Sequence, residues 1–182
     1  MDIIFIISFS VIMILWIWSR YPHYRNILLI AFLIRIFIMI ADLCHWLAIP
    51  HTGIDTENFH SFATYNCTSR DMPYMLTSYT IFLTYLYMLT DCSRPIAQFI
   101  NVMMGMGVLL ILIKTCRILN LRNNHIKLSL LLLAFAPNMI FFSGILLREA
   151  WIEFFVAMSI MAFAIWYKRG KAKQFILSII YV

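Results

Sequence analysis

Two imidazoles and two carboxylates fall close together in PHTGIDTENFH, as His51, Asp55, Glu57 and His60. Carboxylates this near one another can share a divalent cation such as magnesium or manganese through their oxygens. They can also divide the work, one as a base and the other as its electrostatic partner. Asp55 is therefore the candidate base, Asp55 and Glu57 the candidate metal ligands, and His60 a candidate for substrate binding or proton transfer. Asp-x-Glu is also common in solvated loops, so the spacing alone leaves both readings open. A second group lies in LLREAWIEFF, where Glu149 and Glu153 are four apart and share one helical face. Arg148 beside them can hold a phosphate or extend along an apolar surface to water.

The elements that must position these groups are nearly all hydrocarbon. The chain is 63% hydrophobic and 12% charged, with a mean hydropathy of +0.88, where a soluble domain carries about 25% charged residues. Backbone polar groups in hydrocarbon must be bonded internally, so the spanning pieces must be helices. The expected fold is all-α, a polytopic membrane protein of about six transmembrane or re-entrant helices over 2–19, 26–49, 73–90, 95–118, 127–147 and 148–167. A further apolar run starts at 175–182, and FHSFA starts a short amphipathic helix in the polar stretch 50–72. The whole of 1–182 reads as one membrane domain. The first run lacks a basic leader and a small-residue cleavage site, which marks a retained helix. Cys44, Cys67, Cys92 and Cys116 show no metal-ligand spacing. They are expected to pack as small hydrophobes, without a disulfide framework.

The net charge of +6 is distributed in short clusters between apolar runs. That is the pattern of membrane topology rather than of nucleic-acid binding. It places Arg20/Arg25, the cluster at 114–127 and that at 168–173 in the cytoplasm. The stretches 50–72 and 143–149 then face outward, in a bacterial cytoplasmic membrane. Residues 73–118 must cross an odd number of times, yet DCSRP at 91–95 divides them into two apolar pieces. One piece is then re-entrant or interfacial, or one cluster breaks the rule. Pro137 removes a helix hydrogen bond and Gly144 permits another break, so 127–147 is a discontinuous or kinked helix. Arg35 and Asp42 lie two turns apart on one face and each needs a partner on another helix. A glutamate near the start of 148–167 would serve Arg35.

Taken in order, GIDTENFHSFA, PYMLTSYTIFLTYLYMLTD, SRPIAQFINVMMGMGVLLILIKTCRIL and PNMIFFSGILLREAWIEFFVAMSIMAFAIW resemble the N-terminal half of GT-C fold polytopic glycosyltransferases. Those enzymes, dolichyl-phosphate-mannose mannosyltransferases among them, use polyprenyl-phosphate-linked sugars. The resemblance spans residues 26–170 and leaves 1–25 as an extra helix and basic loop. It implies that Asp55 is the acidic residue of the first outer loop, acting as base or metal ligand. It implies that Glu149 is the acidic residue opening the later helix, with Arg148 beside it. Glu57, His60 and Arg70 would contact substrate, with a lipid phosphate-linked sugar as donor and a glycan or lipid-linked saccharide as acceptor. Members of that family carry further helices, so the resemblance also implies a truncated member or one completed by a second polypeptide.

Overall fold

The computed structural model describes residues 2–46, 52–69, 77–170 and 172–181. Among them the secondary structure is all helix. The order is α1 (Asp2–Arg20), α2 (Arg25–Leu43), α3 (Thr52–Ser69), α4 (Ser78–Thr90), α5 (Arg94–Ile118), α6 (Asn123–Ala134), α7 (Pro137–Gly144), α8 (Glu149–Arg169) and α9 (Ala172–Ile180). Helices α1, α2, α5 and α8 are each long and apolar enough to cross a membrane. They mark the chain as an integral membrane protein. The pair α6–α7 would add a fifth crossing, bent by 58° at the residues before Pro137.

Helix α5 is the axis of the bundle. Its apolar window is 67% buried within the protein, against 11% for α1, so α1 lies at the edge and leaves most of its surface to lipid. Close approach to α5 depends on small residues. A β-carbon on Gly105 would overlap Ser143 of α7, and one on Gly144 would meet Ile38 of α2 at 2.5 Å. The main core joins Ile17, Leu28, Phe32, Val102, Met106, Leu109, Ile126 and Leu130 from α1, α2, α5 and α6.

The bend at Pro137 has a polar consequence. Helix α6 ends at Ala134, and Pro137 carries no N–H to continue the ladder. The freed Ala134 carbonyl accepts from Arg35 Nη1 at 3.3 Å, and Ala31 O accepts from the same atom at 3.1 Å. Arg35 is 1% exposed. It places its charge at the negative end of α6, so its hydrogen-bond partners are helix carbonyls rather than the expected carboxylate. Glu153 lies close enough to interact with it electrostatically.

The two ends of the bundle carry opposite charge. Arg25 stacks on Trp18 at 4.3 Å, Arg117 lies over Tyr21 and Tyr24, and Tyr24 donates to Asn123 Oδ1 at 3.1 Å. These contacts gather the α1–α2 turn, the end of α5 and the start of α6 at a basic end. At the other end Ser93 donates to Asp2 Oδ2 at 2.6 Å, and Arg94 contacts Asp42 and Glu57.

Helix α4 covers the first apolar piece of the segment 73–118. It has 13 residues, about 20 Å at 1.5 Å per residue, which is too short to cross. It starts at a capping box formed by Thr77 and Thr80 and stops at Asp91, whose φ of 54° is left-handed. Tyr79 near its start reaches Asn101 of α5 at 3.5 Å, and its end leads through Ser93 into the head of α5. Among the described residues of this segment, α5 is the helix long and apolar enough to cross. Helix α3 also differs from expectation. It begins at Thr52 rather than near FHSFA, and therefore contains Asp55 and Glu57. The buried or half-buried positions Thr56, Phe59, His60, Ala63, Asn66 and Cys67 repeat every three to four residues, as a helix packed on one side requires.

Candidate functional site

The acidic end is organised by a polar stripe on α5. Arg94, Gln98 and Asn101 recur at i, i+4 and i+7 and face the interior. Arg94 Nη1 donates to Glu57 Oε1 at 2.7 Å and Nη2 to Asp42 Oδ2 at 3.2 Å, while Gln98 Nε2 donates to the same Asp42 oxygen at 2.6 Å. Arg94 and Asp42 are 14% and 15% exposed, whereas Glu57 is 57% exposed. The pair Arg94–Asp42 is thus a mostly buried tie between α2 and α5, and Glu57 clips α3 to it from the water side. Asp42 finds its partner on another helix, as its position in α2 requires.

His60 is the second fastening of α3. Its Nδ1 lies 2.7 Å from the Tyr87 hydroxyl. Burial, then the positive charge of Arg94, hold the imidazole below its ordinary 6.5, and Glu57 opposes them. That favours the neutral ring, and the imidazole and the phenol share one hydrogen bond whose direction the tautomer sets. Burial pushes the Tyr87 phenol well above its ordinary value, which keeps it a donor.

Asn101, 1% exposed, is the hub beneath the second group. Its Nδ2 donates to Ile145 O at 2.9 Å and to Leu147 O at 2.8 Å, and its Oδ1 accepts from Trp151 Nε1 at 2.9 Å. Helix α7 ends at Gly144, and α8 starts at Glu149. The carbonyls between them would otherwise be buried without partners. Asn101 supplies those donors and so sets the turn that presents Arg148 and Glu149. Arg148 is 53% exposed, with its Nε 3.6 Å from Glu149 Oε1. Glu149 is half-buried, and its Oε2 is buried with no hydrogen-bond partner.

A cavity of about 680 Å³ opens beside this turn, between α4 and α8. Thr77, Ser78 and Arg148 give it a polar rim, and Tyr79, Phe82, Trp151, Ile152 and Phe155 give it apolar and aromatic walls. Phe82 and Trp151 stack with centroids 4.4 Å apart. Phe59 of α3 meets the Tyr79 ring edge-on at 5.1 Å and packs near Ile145 and Leu147. Asp55 is exposed on α3 and lies one helical turn before Phe59.

The residues singled out from the sequence are thus divided. Arg148 stands at the cavity rim with Glu149 beside it, and Asp55 is exposed on α3, one turn before Phe59. Glu57 and His60 instead bind α3 to Arg94 and Tyr87. Arg70 lies outside the described residues, as does His51. Asp55 and Glu57 do not converge on one point. On a helix, residues two apart face away from each other, so this pair does not fit a shared cation. Among the described residues, no three His, Cys, Asp or Glu side chains are grouped to hold a metal ion. The roles of Arg94, Gln98 and Asn101 were missed, although their spacing in α5 was legible. Polar side chains at helical intervals in an apolar span point inward.

Comparison with family models, with curated proteins and with solved structures gives no match. The functional reading therefore rests on the site itself.

Proposed function

We propose that the protein is a membrane glycosyltransferase of GT-C type, or one part of such an enzyme. It would transfer a sugar from a polyprenyl-phosphate carrier to an acceptor at the acidic end, in cell-envelope glycan assembly. The observation that carries this reading is the cavity between α4 and α8, with one guanidinium on its rim and aromatic and aliphatic walls below. An amphiphile with an anionic head and an apolar chain fits that division. Its phosphate would meet Arg148 and its chain would lie along Phe82, Ile152 and Phe155.

Sugar transfer needs a carboxylate to take the acceptor's proton and positive charge to steady the departing phosphate. Asp55, exposed on α3, is assigned the first role and Arg148 the second. Glu149 holds Arg148 in place and limits how far its charge extends. In this reading the acidic end faces outward and the basic end the cytoplasm, which five crossings satisfy.

The competing reading, a non-catalytic membrane protein, draws on the pairing of Asp42 and Glu57 with Arg94. A third reading, a polysaccharide polymerase or assembly subunit that works through intramembrane arginines such as Arg35 and Arg148, is weakened by Arg35, whose Nη1 is committed to helix carbonyls. The test is transfer from radiolabelled polyprenyl-phosphate hexoses by protein reconstituted in liposomes. Asp55→Asn should lower the rate by about 100-fold or more, the usual contribution of a positioned base. Arg148→Ala should mainly weaken donor binding. Undiminished transfer by Asp55→Asn would overturn the assignment of Asp55. No transfer or donor binding by the wild-type protein would favour the non-catalytic reading.

A further inference from the structure

Two thiols that the sequence separates are brought together at the acidic end. Cys67 on α3 and Cys92 in the α4–α5 turn are close neighbours. Both pack against the cluster of Ala63, Tyr87 and Ala97. Their contact continues an ordered series. Phe59 meets Tyr79, His60 meets Tyr87, and Cys67 meets Cys92, so the contacts advance in the same direction along α3 and α4. The turn that carries Cys92 is well defined. Asp91 and Cys92 have φ of 54° and 57°, and Cys92 N–H donates to Tyr87 O at 2.9 Å. Left-handed backbone at two successive residues that are not glycine persists only where the surroundings enforce it.

We propose that Cys67 and Cys92 form a redox pair that closes to an intramolecular disulfide and latches α3 to the bundle. The oxidant is a disulfide, either a small molecule or a thiol–disulfide oxidase. The Cys67 thiolate attacks one sulfur of that disulfide, forms a mixed disulfide and expels one oxidant thiolate. Cys92 then loses its proton and attacks Cys67 Sγ. The Cys67–Cys92 bond forms and the second oxidant thiol leaves. The chain gives up two electrons and two protons, and one disulfide becomes two thiols. Burial, with the contact to Cys67, pushes the Cys92 thiol up to about 11, so little of it is thiolate at neutral pH and its attack relies on the proximity of Cys67. The latch holds the helix that carries Asp55, Glu57 and His60, and it does not depend on the reaction proposed above.

The test uses the full chain in detergent micelles, treated with cystamine and then with N-ethylmaleimide, and mapped by peptide mass spectrometry without reduction. The expected product links the Cys67 and Cys92 peptides within one chain, while exposed Cys44 carries a cysteamine or maleimide adduct. Cys67→Ser and Cys92→Ser should each leave the remaining thiol as a cysteamine adduct. Amide hydrogen exchange over α3 should slow by about tenfold or more on oxidation, as expected when a cross-link restrains local opening. Stable cysteamine adducts on both cysteines of the wild-type chain would overturn the pair. So would maleimide on both after oxidation, or links only between chains.

Discussion

At the scale of single residues, the site is a matter of which polar atoms find partners. Asn101 satisfies two turn carbonyls and the Trp151 indole at once. Asn101→Leu keeps the volume but strands those groups, at about 1–3 kcal/mol for each buried group left unpaired. The expected result is a destabilisation of roughly 2–4 kcal/mol in denaturant unfolding of the micellar protein, together with loss of lipid-phosphate binding. A substitution at exposed Asp55 should leave unfolding unchanged. His60 gives a pH dependence of definite sign. Its pKa is lowered in the folded state, so the undocked helix binds more protons. The docking of α3 is then complete above about 6.5 and weakens as the pH falls below it. Protonation places a second cation beside Arg94 of α5, with Glu57 of α3 only partly compensating. Hydrogen exchange over α3 should accelerate between pH 7 and pH 5 in the wild type, and His60→Phe should remove that dependence. An unchanged pH profile in His60→Phe would refute the role given to this imidazole.

At the scale of elements, small residues and one proline decide the architecture. A β-carbon on Gly105 would overlap Ser143, and its next neighbour would be Arg35 Nε at 3.3 Å. Gly105→Ala should therefore destabilise by about 1–3 kcal/mol, the usual range for overpacking, and Gly105→Leu should prevent folding. Gly170 ends α8 at φ 65° with nothing within 4 Å of a β-carbon. Gly170→Ala should cost only about 1 kcal/mol, from the left-handed backbone. Thermal unfolding of the purified variants separates the two cases. The apolar helices α1, α2, α5 and α8 were legible in the sequence because their lengths match the membrane. The bend was legible at Pro137. The short helix α4 was not, because an apolar 13-residue helix and part of a spanning one have the same composition. The start of α3 was also hidden, since its buried face mixes Thr56, His60 and Asn66 with Phe59 and Ala63 and shows no apolar stripe.

At the scale of the whole molecule, the described carboxylates Asp2, Asp42, Asp55, Glu57, Asp91, Glu149 and Glu153 lie at or within about two turns of one end. The basic clusters lie at the other. A membrane potential and the positive-inside rule act on such an asymmetry in one direction. Exposed Cys44 at the end of α2 should react with a membrane-impermeant maleimide on intact cells. An Asn124→Cys substitution at the start of α6 should react only after permeabilisation. The reverse pattern would invert the topology and remove Asp55 from the outer face.

Composition and charge spacing determined, without any coordinates, that this is a helical membrane protein, where its long helices run and which two polar segments share an end. Those properties follow from the transfer of side chains and backbone between water and hydrocarbon, which is additive along the chain. Which carboxylate is tied down and which stands at the cavity was decided only by the tertiary structure. Glu57 is held by Arg94, His60 by Tyr87, and the turn before Glu149 by Asn101. Cys67 meets Cys92 in the same way. Each of these pairs joins residues from different helices, and their meeting depends on how helices pack around α5, which no local pattern encodes. The segment 51–60 carries two carboxylates and two imidazoles close in sequence. Helix α3 sends Asp55 and Glu57 to opposite sides, because residues two apart on a helix point away from each other.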